Sequence, residues 1–167
     1  MADVLFAGLS YEAVLQKYAD TVTGVCVMRL QNWADAEDCF QNTFIKLFQK
    51  SPDFRSEIHL KAWLIRVAIN ECRNYIGKNR RTVSLDSLGR EPLERVPSTW
   101  HDNERDISWA LMRTQPKYRE VLYLYYCEQY KVNEIAKILS KNPNTVKTLL
   151  SRGREQLKMM YGGDGDE

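Results

Sequence analysis

The sequence has few of the residues that build metal centres, and it lacks long apolar runs. It contains 2 histidines, which are isolated, and 4 widely spaced cysteines without a Cys-x-x-Cys pair. Because zinc sites need such ligands in clusters, no metal site is expected. No apolar run approaches the roughly 18 residues of a membrane helix, and no basic segment followed by an apolar one opens the chain. These absences favour a soluble, cytosolic protein that needs no cofactor.

The net charge of +2 excludes a uniformly basic surface of the kind that coats nucleic acid, but the charge is distributed unevenly. Residues 55–81 hold 7 Lys/Arg against 2 acids, and residues 141–158 hold 5 against 1. Between them, residues 86–106 hold 6 acids against 3 arginines. Two basic segments separated by an acidic one favour two separate contacts with a polyanion, although solvated helix faces would give the same composition.

The first half has the apolar periodicity of three amphipathic helices, predicted at about 11–31, 34–49 and 59–77. A loop over 54–58 precedes the third. The expected core residues are Val14, Tyr18, Val22, Val25, Cys26, Leu30, Ala36, Phe40, Phe44, Leu47, Phe48, Leu60, Trp63, Leu64, Val67, Ala68 and Ile76. All 4 cysteines of the chain fall within apolar stripes or at their edges, as small buried residues do in a reducing cytosol. Three such helices can close one small core.

Residues 82–103 lose this periodicity and contain serine, glycine and proline, which predicts a linker. Helices are expected again from about Glu104. Ala110 and Leu111 share a face with Ile107, and Pro116 opens a helix that buries Val121, Leu122 and Tyr125. The tail over 162–167 has no core-forming residue and should be disordered.

The segment from Val132 to Lys158 has the pattern of a helix-turn-helix. Its first helix carries Ile135, Ala136 and Leu139 on one face, and Asn142-Pro143 suits the cap and first position of the next helix. The second helix turns Val146, Leu150, Gly153 and Leu157 inward and leaves outside Lys147, Thr148, Ser151, Arg152, Arg154 and Lys158. Such side chains contact base edges and phosphates, although an ordinary helical hairpin with a basic face is the alternative.

Two blocks of residues together carry a resemblance to a known family. The first comprises Asp35 to Phe44, Phe54-Arg55, Trp63 to Asn70 and the basic run to Arg81; the second comprises Pro116 to Leu122, Glu134 to Leu139 and Thr145 to Arg152. In this order, they resemble the bacterial RNA polymerase sigma factors of the extracytoplasmic-function (ECF) group. The resemblance implies an all-α fold of two small helical domains joined by a flexible linker. A region-two-like domain is expected over 1–81, a linker over 82–103, and a region-four-like helix-turn-helix domain over 104–161.

The resemblance also implies roles for particular residues. In the family the second helix docks on the clamp helices of the largest polymerase subunit, which points here to Asp38, Gln41 and Asn42. The third helix and its preceding loop open the minus-ten promoter element, and the corresponding residues are Phe54, Lys61, Arg66, Asn70, Arg73, Asn74, Lys78, Arg80 and Arg81. Capture of an unstacked base needs aromatic surface and cations, which this set supplies. Trp63 has two interpretations, and its spacing with Leu60 and Val67 favours the core.

By the same resemblance the helix-turn-helix contacts the minus-thirty-five element through Thr145, Lys147, Thr148, Ser151 and Arg152. This sequence departs from the family pattern at several positions. Lys131 stands where a capping hydroxyl is usual, Ser140 where the turn usually has glycine, and Leu149 where arginine is frequent. Gly153, in mid-helix, costs about 1 kcal/mol against alanine. A weaker and more mobile DNA-binding helix than the family average is therefore expected.

Three functions follow as hypotheses. A promoter-specificity subunit would bind core polymerase and promoter DNA, would perform no chemistry of its own, and would be controlled by an anti-sigma factor. An autonomous helix-turn-helix regulator would form a symmetric dimer on palindromic sites. A metal-dependent nuclease would use Asp35, Glu37 and Asp38, but these acids lack the accompanying groups of an active site, and the helix dipole alone explains acids at a helix start.

Overall fold

A computed structural model describes residues 4–78 and 110–161, in which the regular structure is helical and the expected all-α fold is confirmed. The described residues form two compact units, one within Met1–Glu91 and the other within Pro92–Glu167. The predicted linker over 82–103, the tail over 162–167, Arg80 and Arg81 lie outside the described residues. Among the helices that are described, none combines the length and apolarity needed to span a membrane.

The first unit is a three-helix bundle in which each helix contacts the other two. Its helices are α1 (Tyr11–Leu30), α2 (Trp33–Lys50) and α3 (Glu57–Lys78). Three polar side chains precede these helices, namely Ser10, Asn32 and Ser56, and each accepts a hydrogen bond from the backbone N–H three residues later at 2.9–3.2 Å. Such caps satisfy N–H groups that a helix start leaves without a partner. The cap at Ser56 starts α3 two residues earlier than the periodicity predicted.

The buried arc of α3 differs from the prediction. Ile65, Ile69 and Cys72 are buried, whereas Trp63, Val67 and Ile76, which the spacing assigned to the core, are only half-buried. Because α3 packs against both α1 and α2, its buried arc is wide and is centred on the side of Ala68. Trp63 therefore lies at the edge of the core.

Phe48, at the end of α2, was also predicted to be buried and is 67% exposed. Its ring packs edge-to-face against Tyr11, with 5.6 Å between centroids. Phe6 and Leu9 exchange backbone hydrogen bonds of 2.7 and 2.9 Å across Ala7 and Gly8, which both have positive φ. This turn buries Phe6 beside Tyr11.

The three cysteines of the first unit lie together in its core, one on each helix. Cys26, Cys39 and Cys72 are buried, as their place in apolar stripes predicted. The pKa of Cys39 is raised well above its usual range, chiefly by hydrogen bonding with the Cys72 thiol and then by burial. The pKa of Cys72 is raised as well, chiefly by its hydrogen bond with Cys26. These thiols therefore behave as small packing residues.

In the second unit, residues 110–112 are helical, and three longer elements follow. They are α4 (Pro116–Leu122), which continues as a π-helical turn (Tyr123–Cys127), α5 (Val132–Leu139) and α6 (Pro143–Tyr161). The π-turn moves the hydrogen-bonding register on by one residue. Consequently Tyr123 and Leu124 are buried, and Tyr125, which was expected in the core, is only half-buried.

Helices α5 and α6 form the predicted helix-turn-helix, and their ends show how the unusual residues are accommodated. Glu134 Oε1 accepts a 2.9 Å hydrogen bond from the backbone N–H of Lys131, so α5 has half of a capping box without a capping hydroxyl. Ser140 has φ +54°, and the backbone N–H of Lys141 donates to Ala136 O at 2.9 Å in a Schellman closure. Asn142 Oδ1 caps α6, as predicted, by accepting from Asn144 N at 2.8 Å.

Gly153 lies at the closest approach of α6 to α4. A Cβ at this position would lie 2.9 Å from Leu122 Cδ1 and 3.1 Å from Tyr118 Cβ. Leu122 is fully buried and has little room to move. The expectation that Gly153 merely weakens α6 was therefore incomplete, because the missing side chain lets the two helices pack closely.

Candidate nucleic-acid and protein interfaces

The exposed face of α3 carries a continuous polar stripe. Arg66, Asn70, Arg73 and Asn74 are exposed and follow one another at helical spacing of four, three and one. One and two turns earlier the same face carries half-buried Trp63 and exposed His59. The structure thus brings together most of the residues predicted for the minus-ten element, and Lys78 is exposed at the end of the helix.

Lys61 does not share this stripe. It precedes Ile65 by one turn and Ala68 by two, and both of these residues are fully buried. Lys61 itself is half-buried. By helical spacing it lies opposite Asn70, so the geometry gives it no common surface with the other predicted DNA contacts.

An aromatic cluster adjoins the start of the α3 stripe. The Phe54 ring packs edge-to-face against His59 at 5.4 Å between centroids and against Trp63 at 5.6 Å. The His59 backbone N–H donates to Ser56 Oγ, and His59 Nδ1 accepts a long 3.4 Å hydrogen bond from Arg55 N. The loop before α3 is thereby fixed to its first turn. Trp63 joins this cluster and is half-buried. Part of its ring therefore packs against protein, as a core residue would, while the rest is accessible to a base.

The outward face of α2 holds the three residues predicted to contact polymerase. Asp38, Gln41 and Asn42 are all exposed, and they lie opposite the buried side of the helix. Asp35, one turn before, is engaged differently, because Tyr75 Oη donates to Asp35 Oδ1 at 2.5 Å and ties α3 to α2. This hydrogen bond raises the pKa of Tyr75 to about 12.

Asp35 therefore has a structural partner in Tyr75. Within residues 4–78 and 110–161, no group of three or more His, Cys, Asp or Glu side chains is arranged to hold a metal ion.

Two further ionic contacts fix the helices that carry these faces. Glu57, in the first turn of α3, accepts hydrogen bonds from Lys17 Nζ at 2.5 Å and from Tyr18 Oη at 3.0 Å. Burial, followed by the bond to Glu57, raises the pKa of Tyr18 to about 12, and the bond from Lys17 lowers the pKa of Glu57. Glu71 is buried in α3 and pairs with Lys46 of α2. The sequence gave no signal for this pair, because Glu71 is a single charged residue among the apolar positions of α3.

All five residues predicted for the minus-thirty-five element are exposed on α6, and they are Thr145, Lys147, Thr148, Ser151 and Arg152. The opposite side packs through Val146, Leu150 and Gly153, as the spacing predicted, whereas Leu157, also predicted to face inward, is only half-buried. Thr148 Oγ1 donates to Asn144 O at 3.0 Å, so its hydroxyl hydrogen is used within the helix. Thr148 presents outward an acceptor oxygen and a methyl group.

Arg154 is exposed, as predicted, but it is held by two tyrosines that the sequence analysis did not connect with it. Its Nε donates to Tyr126 Oη at 2.6 Å, and its guanidinium carbon lies 5.1 and 5.6 Å from the ring centroids of Tyr125 and Tyr126. The hydrogen bond to Tyr126 is the main reason that the pKa of Arg154 is raised. The π-turn places these tyrosines beside α6. The sequence gave no signal for this turn, because apolar periodicity assumes a regular α-helix.

Comparisons with known proteins match each unit separately. Residues 14–82 match the family model described as Sigma-70 region 2, and residues 112–157 match the one described as Sigma-70, region 4. ECF RNA polymerase sigma factor SigW of Bacillus subtilis (strain 168) is 28% identical, with 89% of this chain and 87% of that protein covered. SigM of the same strain is also 28% identical, with coverage of 95% and 100%. CarQ of Myxococcus xanthus is 25% identical, with coverage of 92% and 90%.

Solved structures agree with the fold. The sigma factor RpoE of Bartonella quintana, solved with the anti-sigma factor NepR, is similar with a TM-score of 0.74 and 23% identity over 93% of this chain and 98% of that one. CnrH, solved with the cytosolic domain of CnrY, has a TM-score of 0.63 and 19% identity, with coverage of 93% and 89%. With both sigma-70 regions in order and relatives that match along most of its length, this chain belongs to the sigma-70 family of RNA polymerase sigma factors, in the ECF group.

Proposed function

We propose that this chain directs core RNA polymerase to specific promoters and begins the opening of promoter DNA. The observation that carries the proposal is the pair of outward polar faces on α3 and α6, one in each unit and each on its own matched sigma-70 region. In this proposal Asp38, Gln41 and Asn42 contact the polymerase, and domains over 1–81 and 104–161 hold the two promoter elements.

The face of α3 suits DNA opening because it combines stacking surface with hydrogen-bond donors and cations. The Phe54 cluster offers aromatic surface to an unstacked base, Asn70 offers an amide to its edge, and Arg66 and Arg73 offer charge to the strand. The face of α6 suits a duplex, because its exposed residues are polar and lie on one helix of a helix-turn-helix.

The chain would act by binding alone, in the cytoplasm, without catalytic chemistry. Each small unit offers few contacts, so tight promoter binding should require both units to be held on polymerase, with residues 82–103 setting their reach. Control by an anti-sigma factor is part of the proposal. Its support is that the sigma factor RpoE, similar in fold, was solved with such a protein. The relatives named above are sigma factors and give no support to an autonomous regulator.

Run-off transcription with core polymerase on a pool of genomic promoter fragments tests the proposal. Transcripts that depend on the added chain should come from promoters that share a two-part motif. Core polymerase alone and a chain with Asp38, Gln41 and Asn42 all changed to alanine are the controls, and both should give background. Strong sequence-specific binding by the isolated chain, without polymerase-dependent transcription, would favour a regulator instead.

A further inference from the structure

One side of α6 carries a row of polar and basic residues that begins in the face predicted to enter the groove and continues beyond it toward the end of the helix. Lys147, Ser151, Arg154 and Lys158 are exposed and spaced four, three and four residues apart, so they align along the helix. Arg154 is the member of this row that is held in a defined position. Among the residues that the structure describes, no acidic side chain pairs with it.

The position of Arg154 is set by Tyr126 and Tyr125. The 2.6 Å bond from Nε to Tyr126 Oη and the two ring contacts hold the guanidinium against the π-turn. Tyr126 is 40% exposed, and its ring packs edge-to-face on Tyr125 with 5.0 Å between centroids. A guanidinium held on aromatic rings loses less conformational freedom when it binds an anion than a solvated one does.

The hydrogen-bond inventory of this pair indicates the ligand. Tyr126 Oη accepts from Arg154, so its own hydroxyl hydrogen remains to be donated. The guanidinium supplies further N–H donors and a positive charge next to that hydroxyl. Adjacent donors of this kind fit the oxygens of a phosphodiester.

We infer that Tyr126 and Arg154 together bind a phosphate of the DNA backbone beside the groove that α6 contacts. This inference rests on the proposed function, since it takes promoter DNA as the ligand of α6. The pair would strengthen binding equally for all sequences and would fix the angle of α6, whereas Lys147, Thr148, Ser151 and Arg152 would distinguish bases.

The test uses the full chain bound to core polymerase and a set of promoter duplexes that each carry one uncharged methylphosphonate. Binding is measured by fluorescence anisotropy at several salt concentrations for the wild type, Arg154→Gln and Tyr126→Phe. Lys117→Gln is the matched control, because it removes one exposed cation that also lies over a tyrosine ring, that of Tyr118 at 5.0 Å, and that belongs to α4 and not to the α6 row. Thermal melting checks that each variant folds.

For Arg154→Gln, the magnitude of the slope of log affinity against log salt should be smaller than that of the wild type by about 1. Between about 50 and 200 mM salt, the variant should therefore lose affinity by a factor roughly threefold smaller than the wild type does. One methylphosphonate near the minus-thirty-five element should weaken the wild type and leave Arg154→Gln unaffected. Tyr126→Phe should show part of this loss. Lys117→Gln should keep the methylphosphonate pattern of the wild type.

Three outcomes would overturn the inference while leaving the proposed function intact. The first is an unchanged slope and methylphosphonate pattern in both variants. The second is a loss by Arg154→Gln that depends on the bases of the minus-thirty-five element, which would make Arg154 a base contact. The third is weaker binding to core polymerase itself, which would make the tyrosine pair a protein contact. If the wild-type holoenzyme neither binds nor transcribes any promoter, the proposed function fails instead.

Discussion

The two helices that carry the candidate DNA faces, α3 and α6, differ in how much of their surface is packed against other helices. Helix α3 is enclosed by α1 and α2 and exposes a narrow stripe next to an aromatic cluster. Helix α6 packs on one side against α4 and α5 and exposes most of its circumference. A narrow stripe beside aromatic rings suits one unstacked strand, whereas a broad polar helix suits the width of a major groove. If both helices bind promoter DNA as proposed, the packing of each helix limits the form of DNA that it can bind.

The largest expected effect separates opening from duplex recognition. Asn70→Ala in α3 and Arg152→Ala in α6 should each lower transcription from a duplex promoter about tenfold, from roughly 1–3 kcal/mol of lost contact. A template already unpaired across the minus-ten element should restore transcription with the Asn70→Ala variant but not with the Arg152→Ala variant. Leu149→Ala, a half-buried neighbour on α6, should cost less than Arg152→Ala. Equal rescue of both variants would remove the distinction between the helices.

The same substitution at a glycine in each helix should change stability with opposite sign. Gly153→Ala forces a Cβ to 2.9 Å from Leu122, and the overpacking should exceed the gain in helix propensity and destabilise the second unit by about 1 kcal/mol. Gly77→Ala in α3 meets no atom within 4 Å and should stabilise the first unit by up to about 1 kcal/mol. Hydrogen exchange on the full chain measures both units. A stabilised Gly153→Ala would show that α6 can move away from α4.

A smaller effect is expected at the turn between α5 and α6. Ser140 has φ +54°, which a residue with a Cβ adopts at some cost. Ser140→Gly should therefore stabilise the second unit by about 0.5–1 kcal/mol. Denaturant unfolding monitored within that unit measures the change, and Ser151→Gly, on the exposed face of α6, is the control that should destabilise.

The last effect concerns the first unit at alkaline pH. The pKa values of Tyr18 and Tyr75 are raised from 10.0 to about 12 in the folded chain. Because the unfolded phenols ionise first, the stability that the protonated phenols contribute is complete below pH 10 and is lost as the pH rises through 12. Tyr75→Phe should lessen this loss. Unfolding titrations between pH 9 and about 12, followed by hydrogen exchange, measure this change, and an equal loss of stability in the wild type and in Tyr75→Phe would contradict the assignment.

The contrast between the helices also explains which features the sequence could predict. For α6, packed on one side, helical spacing placed Val146 and Leu150 inside and Lys147 and Arg152 outside, as the structure has them. For α3, packed on two sides, the same method misplaced Trp63, because a wide buried arc has no single stripe. Periodicity describes one apolar face well and a helix between two neighbours poorly.

Apolar periodicity could not predict other features, because they depend on contacts between residues that are distant in the sequence. The pair of Glu71 with Lys46, the bond of Tyr75 to Asp35, and the cost of a Cβ at Gly153 exist only when two helices meet. The family resemblance supplied the order of the two units and the roles proposed for them, while the physical reason for individual residues came from packing.

The burial of three cysteines has a practical consequence for fluorescence measurements. Cys26, Cys39 and Cys72 are enclosed in the first unit, and raised pKa values keep two of them protonated at neutral pH. Cys127 is half-buried at the end of the π-turn in the second unit. A maleimide dye, which reacts with accessible thiolates, should therefore attach to the native chain at this one position. The dye would sit next to Tyr126 and, without any engineered cysteine, would test whether promoter DNA approaches the π-turn.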